Sequence, residues 1–512
     1  MSLPQKHFNN TYELIKKVGK KKVAKWLLEE GYYPEQYVLP PCFHIKSFKL
    51  KKHPYFKVKS KKDGGKEFKP AISEFITVSF PKSQLTDRTF GIIDPRLYHD
   101  IVFYIMSEWD FVLSHIFNDN NKVYSYSFPI PLTKKSEGEL GSLRAGRMIY
   151  EYIEMAENDL VAEAHKFKYI VKTDIKNFYP SIYTHSLAWA LHGKKAARND
   201  IGEFKLLGSK LDKLFQNSND RCTNGIPIGS AISDLISEML LSSIDREFSN
   251  ILIKSKIKFL SVRFKDDYIF LCNSKNDADF IIKTLQSQMR LYNLSLTEGK
   301  TEFKELPEGL FRPWISEYQK YSLRFNSSIS YKRFETTLLA VLKIDERFPD
   351  TGVVDKFLSE LVSKKYNLKL SLKTKDALKV FSLLFLLKER RSKAFPQILA
   401  IIELLLERFK NEKELIENIR NSLIEKFKNI IKNDSDYQYD ILWIFYLLKS
   451  SGISKLKISS KTKCPLLLSV KSNSQKFFNT EKEIILYKKI KSAGKNKKLV
   501  KHLAVFPREE KL

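Results

Sequence analysis

The sequence predicts an α+β domain followed by an all-helical C-terminal half. The first part of this prediction rests on the order of elements after residue 168, where a short strand, several helices, an apolar hairpin, a further helix and a strand follow one another. That order is typical of an antiparallel sheet covered by helices on one face. The second part rests on a change of pattern, because beyond residue 335 amphipathic helices are joined by short polar segments. The expected helices span residues 376–390, 395–410, 414–432 and 437–449.

The composition indicates a globular protein with a polyanionic partner. The chain has 512 residues, of which 43% are hydrophobic, enough to bury a large core. Its formal charge of +30 favours nucleic acid over a membrane as the partner, although a solvated basic surface would look similar. Four widely separated cysteines indicate neither a disulfide framework nor a zinc site. With no signal peptide pattern and no apolar run long enough to span a membrane, a soluble cytosolic protein is expected.

Changes in pattern divide the chain into four expected regions. They are a helical and basic extension over residues 1–74, the α+β domain over 75–305, an irregular linker over 306–335 and the helical half over 336–512. In the extension, helical spacing between Tyr12 and Glu30 is followed by the turn-rich stretch GYYPEQYVLPPCF. The helical half suggests stacked helix pairs without a clean repeat period, and its basic tail from Lys488 to Lys501 is expected to fray.

The stretch KFLSVRFKDDYIFLC, residues 258–272, predicts a hairpin with two acids at its tip. Its arms are rich in β-branched and aromatic residues, and the polar step at Lys265, Asp266 and Asp267 is the turn between them. Neighbouring carboxylates raise each other's pKa, and a divalent cation, which prefers oxygen ligands, removes that penalty. Taken alone, the dipeptide fits an exposed Asp-Asp turn better than a metal site.

A third acid, Asp174, ends the predicted strand over residues 169–173 and is expected to meet the hairpin tip at one edge of the sheet. Two-metal phosphoryl transfer needs such carboxylates to hold two Mg²⁺ ions about 4 Å apart, one activating the attacking hydroxyl and one stabilising the leaving pyrophosphate. Asp174, Asp266 and Asp267 are the candidate ligands, and the carbonyl of Ile175 is expected to join them.

Two further segments carry residue types that a triphosphate substrate requires. Lys82 and Arg88, in a polar turn between two β-rich pieces, can neutralise phosphates. Gly225 and Gly229, in the loop NGIPIGS before a long amphipathic helix, allow the main chain to approach a nucleotide closely.

Five segments resemble, in the correct order, the motifs of reverse transcriptases. FPKSQLTDRTFGI is similar to the fingers motif, DIKNFYPSI to motif A, GIPIGSAIS to motif B, FKDD to motif C and LSLTEGKT to motif D. Each segment alone is a weak signal, but the ordered set indicates polymerase fingers and palm over residues 75–305. The resemblance implies dNTP substrates and catalytic metal-site roles for Asp174, Asp266 and Asp267.

The resemblance implies roles for two more residues. Tyr179 matches the aromatic steric gate that clashes with a 2′-hydroxyl and so favours deoxynucleotides; the alternative is a tyrosine simply buried in a turn. Lys300 matches the motif D lysine that protonates pyrophosphate; the alternative is a solvated turn lysine.

The sequence also departs from the usual pattern. Ile228 stands next to the nascent pair where templated enzymes usually carry glutamine, so an apolar contact replaces a polar one. Asn177 stands where related bacterial enzymes often have aspartate, and Phe264 where tyrosine is usual.

Isoleucine in motif B, the GYYPEQYVLPPCF stretch and the helical half together resemble the abortive-infection (Abi) reverse transcriptases of bacterial phage defence. This resemblance implies template-independent synthesis of single-stranded DNA on a protein hydroxyl, in a cytoplasmic homo-oligomer whose C-terminal helices form a HEAT-like array. Tyr32, Tyr33 and Tyr37 are the candidate primers, with simple packing as the alternative for each. Two other functions stay open: a templated reverse transcriptase of the retron or group II intron type, and a catalytically inactive scaffold that binds nucleic acid or a phage protein.

Overall fold

The computed structural model describes the chain except for residues 62–64, 84–85, 133–145, 434–435, 453–455, 457, 459–461, 479–483, 497 and 507–512. The N-terminal part contains, in chain order, α1 (Leu3–Val18), α2 (Lys20–Glu29), β1 (Phe43–Ser47), β2 (Lys59–Ser60), β3 (Lys66–Glu67), β4 (Ile76–Pro81), β5 (Asp87–Ile92), α3 (Pro95–Ser107) and α4 (Trp109–Ile116). Sequence spacing predicts one helix over Tyr12 to Glu30, but Gly19, at φ 82°, separates α1 from α2. Strands β4 and β5 form an antiparallel hairpin that carries Lys82 and Arg88.

The middle of the chain forms the α+β domain. Its elements are β6 (Val123–Ser125), α5 (Gly146–Glu163), β7 (Tyr169–Asp174), α6 (Phe178–Ser181), α7 (His185–His192), α8 (Lys194–Asn199), α9 (Leu207–Ser218), α10 (Ala231–Lys254), β8 (Leu260–Phe264), β9 (Asp267–Cys272), α11 (Lys275–Arg290), β10 (Glu302–Glu305) and α12 (Pro313–Gln319). The sheet order is β10-β7-β9-β8-β6, and neighbouring strands are antiparallel except β6 and β8. The predicted hairpin of β8 and β9 therefore lies in the centre of a mixed sheet.

Helix α10 is the central helix of this domain. It contacts α4, α7, α11 and β6, so that its polar positions are buried together with its apolar ones. Its buried acids Glu238 and Asp245 both pair with Arg263 of β8, at 2.9 and 2.8 Å. The sequence predicts a single buried face here; the structure buries the opposite face as well, because an arginine neutralises the acids on it.

Two details of the predicted order are wrong. Residues 294–296, predicted as a strand, contribute only a single bridge from Leu296 to Ile175. The last strand of the sheet is instead β10, for which the sequence predicts no strand, and it pairs along its whole length with β7. Its sequence EFKE has no apolar alternation, because it is an edge strand whose side chains are mostly exposed.

Over the residues that the structure describes, the C-terminal half is helical apart from three short strands. Its elements are β11 (Ile329–Ser330), α13 (Tyr331–Arg347), α14 (Val353–Glu360), β12 (Leu370–Ser371), α15 (Thr374–Arg390), α16 (Phe395–Arg408), α17 (Lys413–Ile430), α18 (Gln438–Ser450), α19 (Pro465–Ser472), β13 (Ile485–Tyr487), α20 (Ile490–Asn496) and α21 (Leu499–His502). The four predicted helices are confirmed as α15 to α18, and consecutive helices pack in pairs. Within the described ranges, none of the helices has the length and apolar character needed to cross a bilayer.

Contacts at several places join the helical half to the N-terminal part. Strand β13 pairs with β1, and the side-chain amide of Gln438 bonds the edge of β4 by accepting from the Ser79 amide at 2.9 Å and donating to the Thr77 carbonyl at 3.4 Å. The basic tail expected to fray is instead ordered as α20 and α21, because Leu499 and Val500 are fully buried against α16. In the sequence, the many charged residues of this tail make its short apolar face hard to recognise.

Candidate active site

The turn between β8 and β9 presents Asp266 and Asp267 at the edge of the sheet. Lys265, at φ 55°, takes the left-handed conformation that closes the turn. Its amide donates to the Ser127 hydroxyl at 2.8 Å, and its carbonyl accepts from the Arg263 guanidinium at 3.1 Å. The tip is therefore held from both sides.

The end of strand β7 brings Asp174 to the same edge. Asp174 and Asp267 are directly opposite Cα partners on neighbouring antiparallel strands. The next amide, of Ile175, donates to the Asp266 carbonyl at 3.1 Å, and the Asp174 carbonyl accepts from the Thr297 amide at 2.9 Å. The structure thus brings Asp174 next to the pair Asp266 and Asp267, which follow it by more than 90 residues in the sequence.

The charges of these acids are unbalanced. Burial raises the pKa of Asp266, and burial together with the Asp266 and Asp174 carboxylates raises the pKa of Asp267 to about 7. Oδ1 of Asp174 is buried and has no hydrogen-bond partner among the described residues, whereas Oδ2 accepts from the Lys300 ammonium at 2.5 Å. The edge therefore lacks a donor to the buried oxygen of Asp174 among the described residues.

This donor set fits a divalent metal. Three carboxylates and a main-chain carbonyl supply only oxygen ligands, which Mg²⁺ prefers, and the unpartnered Asp174 oxygen is a ligand without a cation. Across the described ranges, no three His, Cys, Asp or Glu side chains are already gathered closely enough to hold a metal. Lys300, on the short helical turn Glu298–Lys300, takes one oxygen of Asp174 in this arrangement, and that hydrogen bond raises the pKa of Lys300.

Arg88 faces the acids from the β4–β5 hairpin. Its side chain is exposed, and its positive charge acts on both Asp266 and Asp267, partly offsetting the rise in their pKa values. Arg88 also lines a cleft of about 330 Å³ between this hairpin and the helical half, which we call the fingers–helix cleft. The residues of this cleft used below are Tyr37, Lys82, Arg88, Arg391, Lys393 and Gln397. Lys82 and Arg88 therefore lie on one cleft, and Arg88 connects it electrostatically with the acidic edge.

Tyr179 lies five residues after Asp174, on α6. Its ring is buried, and its hydroxyl donates to Asp234 of α10. The second oxygen of Asp234 lies 3.3 Å from the Lys265 ammonium. A hydrogen-bonded chain thus links motif A, the helix of motif B and the hairpin tip, and it fixes the position of the Tyr179 ring.

The glycine loop before α10 is held against the β5 strand. The Ile228 carbonyl accepts from the Gly91 amide at 3.0 Å, and the Ile228 side chain is partly buried. Gly229 has φ 122°, and a Cβ there would lie 2.7 Å from the Phe90 ring. Only glycine allows this approach of loop and strand.

The three candidate priming tyrosines have different surroundings. Tyr32 and Tyr33 are buried, and their hydroxyls donate to the carbonyls of Ile93 and Leu486 at 2.7 and 2.5 Å. Tyr37 is partly exposed and lines the fingers–helix cleft together with Arg88. Of the three, Tyr37 alone lines this cleft.

Sequence reasoning missed the charged cluster behind the hairpin. Arg263 donates to Glu238 and Asp245, which are also bonded by Ser127 and Tyr268 at 2.8 and 2.7 Å. All of these groups are buried. The signal was present, since the two acids lie seven residues apart on one helix and the arginine interrupts an apolar strand.

Comparison with known proteins agrees with this geometry. Residues 123–330 match the family described as reverse transcriptase (RNA-dependent DNA polymerase). No curated protein matches the chain in sequence. Among solved structures, the chain is similar to apo telomerase from Candida tropicalis, with 12% identity, 71% of this chain and 70% of that chain covered, and a TM-score of 0.32. It is also similar to telomerase from Candida albicans in complex with a TWJ fragment of telomeric RNA, with 12% identity, 71% and 68% covered, and a TM-score of 0.31.

The family match spans strand β7 with Asp174, helix α10 and the hairpin with Asp266 and Asp267. Motifs A to D and the convergence of their acids lie in the same segment, whereas the fingers motif precedes it. The chain therefore carries a reverse transcriptase domain, and the protein is a nucleotidyltransferase, a DNA polymerase of the reverse transcriptase type.

Proposed function

We propose that the protein joins dNTPs into DNA by a two-metal mechanism at the edge formed by Asp174, Asp266 and Asp267. The observation that carries this proposal is the buried, unpartnered Oδ1 of Asp174 beside two carboxyl groups with raised pKa values. Two Mg²⁺ ions held by these carboxylates and the Ile175 carbonyl would activate the attacking hydroxyl and stabilise the leaving pyrophosphate. Lys300, next to Asp174, can give its proton to the pyrophosphate.

The residues around this edge have the properties that a dNTP requires. Arg88 and Lys82 are exposed cations for the triphosphate. Tyr179, anchored through Asp234, is rigid enough to exclude a 2′-hydroxyl by contact with the sugar. The loop at Ile228 and Gly229 brings main chain close to the same region.

DNA synthesis begins, in this proposal, on the hydroxyl of Tyr37. Tyr37 shares a cleft with Arg88, whose charge acts on the metal-binding acids. Its main-chain carbonyl is fixed by the Tyr439 hydroxyl at 3.0 Å. The product is single-stranded DNA covalently attached to the protein.

Synthesis proceeds without a template. Ile228 offers no polar contact to a base pair, and helix α18 covers the edge of β4 through Gln438. The resemblance of the motifs to Abi reverse transcriptases supports a role in bacterial phage defence, in a cytoplasmic homo-oligomer whose paired C-terminal helices form a HEAT-like array.

A templated RNA-directed DNA polymerase is the second candidate. The match of residues 123–330 to a family described by RNA-dependent DNA synthesis favours it. In that case synthesis requires an added template, and Tyr37 has no role as a primer.

One experiment separates the candidates. Purified protein is incubated with Mg²⁺ and each dNTP, without template or primer, and the products are resolved before and after protease treatment. Protein-linked DNA that Tyr37→Phe abolishes, and that the control Tyr32→Phe retains, supports the proposal. Synthesis only with template supports the second candidate. No synthesis under either condition supports a catalytically inactive scaffold that binds nucleic acid or a phage protein. Asp266→Asn should abolish incorporation without loss of fold, and an active Asp266→Asn protein would contradict the metal site.

A further inference from the structure

The fingers–helix cleft carries an excess of positive charge. Two of its cations come from the β4–β5 hairpin and two from the helical half; they are Lys82, Arg88, Arg391 and Lys393. The two acids of the cleft, Asp350 and Asp355, lie 3.3 and 3.9 Å from the Arg391 guanidinium. The other three cations form no ion pair with any residue in the described part of the chain. Within this cleft the two acids therefore pair with one arginine only, although both of them, together with Asp345, also act on the Lys393 ammonium from a longer distance.

Two buried polar atoms of the cleft lack partners. Arg391 is 6% exposed and Gln397 is 5% exposed. The Arg391 Nε donor and the Gln397 Oε1 acceptor have no hydrogen-bond partner among the described residues, although Arg391 bonds Asp350 and Thr351 through its other nitrogens. Buried polar groups of folded proteins are nearly always paired. A donor and an acceptor left over in one cleft indicate a polar ligand.

Lys393 holds a partly buried charge in this cleft. Burial lowers the pKa of its ammonium and the neighbouring Arg391 lowers it further, while Asp355, Asp350 and Asp345 act in the opposite direction without restoring it. The charge is thus held in the cleft at a cost that a bound anion would offset.

The position of the cleft identifies the anion. Arg88 belongs to the cleft and at the same time acts electrostatically on Asp266 and Asp267. Arg88 is therefore a cation that the cleft and the acidic edge share. A compact polyanion with several oxygens satisfies cations on both walls, as arginine and lysine side chains do for phosphates.

We propose that the fingers–helix cleft binds the triphosphate of the incoming nucleotide, with Arg391 and Lys393 of the helical half facing Lys82 and Arg88. This inference rests on the proposed polymerase function and extends the nucleotide site beyond the reverse transcriptase domain. The helical half is then a part of the substrate site, and a nucleotide draws it against the β4–β5 hairpin.

The test uses Lys393→Gln, with Lys393→Arg as the conservative variant and Lys410→Gln as the matched control. Lys410 is exposed on the helical half and outside the cleft. Binding of inorganic triphosphate is measured by calorimetry, and KM and kcat for dNTPs by incorporation. Loss of one charge-assisted phosphate contact should weaken triphosphate binding and raise KM roughly tenfold, with kcat changed far less. Lys393→Arg should restore most of the binding, and Lys410→Gln should match the wild type.

Unchanged triphosphate binding in Lys393→Gln, when Lys82→Gln is also unchanged, would overturn the inference. A Lys393→Gln protein that loses affinity only for a single-stranded oligonucleotide would also overturn it, since the cleft would then bind a nucleic-acid strand and not a triphosphate. If the wild type incorporates no dNTP but binds triphosphate through Lys393, the site stands and the proposed polymerase function fails.

Discussion

The Lys300 ammonium and Oδ2 of Asp174 lie 2.5 Å apart, so a side chain of the protein occupies one oxygen of a proposed metal ligand. A metal that uses this oxygen has to displace the lysine. Because the Lys300 side chain is largely exposed, the ion pair itself is weak.

Lys300→Met should therefore tighten divalent metal binding about two- to fivefold, since it removes this competitor. Mn²⁺ binding followed by electron paramagnetic resonance measures the effect without catalysis. Incorporation by the same variant should slow, because pyrophosphate loses its proton donor. Equal Mn²⁺ affinity in variant and wild type would show that Lys300 and the metal do not compete.

Metal binding should depend on pH through Asp267. Its pKa in the folded protein is about 7, above the ordinary value, so a protonated Asp267 stabilises the metal-free fold, and that contribution is lost as the pH rises through about 7. A divalent ion must displace this proton, so affinity should rise from pH 6 to pH 8 with proton release. Calorimetry in buffers of different ionisation enthalpy detects the proton. Asp267→Asn should bind weakly and release none, and unaltered proton release in that variant would refute this assignment.

Arg263→Met should destabilise the fold by about 3–5 kcal/mol, because it leaves Glu238 and Asp245 buried without a cation. Urea unfolding followed by circular dichroism measures this change. The double variant with Glu238→Gln should regain part of the loss, since one of the two uncompensated charges is gone. A loss below about 1 kcal/mol would mean that solvent reaches the cluster.

Gly229→Ala tests the close approach of the glycine loop to β5. Its matched control is Gly202→Ala, because Gly202 also has a positive φ, 82°, but a Cβ there meets no atom within 4 Å. Both variants should lose about 1 kcal/mol from backbone strain, and Gly229→Ala should lose more because the methyl group overlaps the Phe90 ring. Thermal unfolding gives the difference, which Phe90→Leu should reduce. Equal losses would show that the loop shifts away freely.

Sequence patterns predicted the hairpin, the strand that ends in Asp174 and helices α15 to α18, because each has strong periodicity or a run of strand-forming residues. They missed β10, whose charged sequence forms a strand only because β7 offers a partner. The local sequence determines most helices and strands. The pairing of an edge strand and the fingers–helix cleft depend instead on contacts between residues far apart in the chain.

At the candidate site the pattern predicted which acids converge, but not the contacts of their neighbours. The ordered motifs predicted that Asp174 meets the hairpin acids, and in the structure Asp174 lies opposite Asp267 on the neighbouring strand. Nothing in the sequence indicated that Arg391 and Lys393, some 300 residues after Lys82, line the same cleft. Sequence distance hides such a relationship unless both segments belong to a known motif.

The pairing of β1 with β13 joins residues 43–47 to residues 485–487. The loop with Tyr37 lies just before β1, and its Gln36 carbonyl contacts His502 at 3.0 Å. Both contacts form only after residues 485–502 have been synthesised. In a chain cut before residue 485, the loop that holds Tyr37 therefore lacks them.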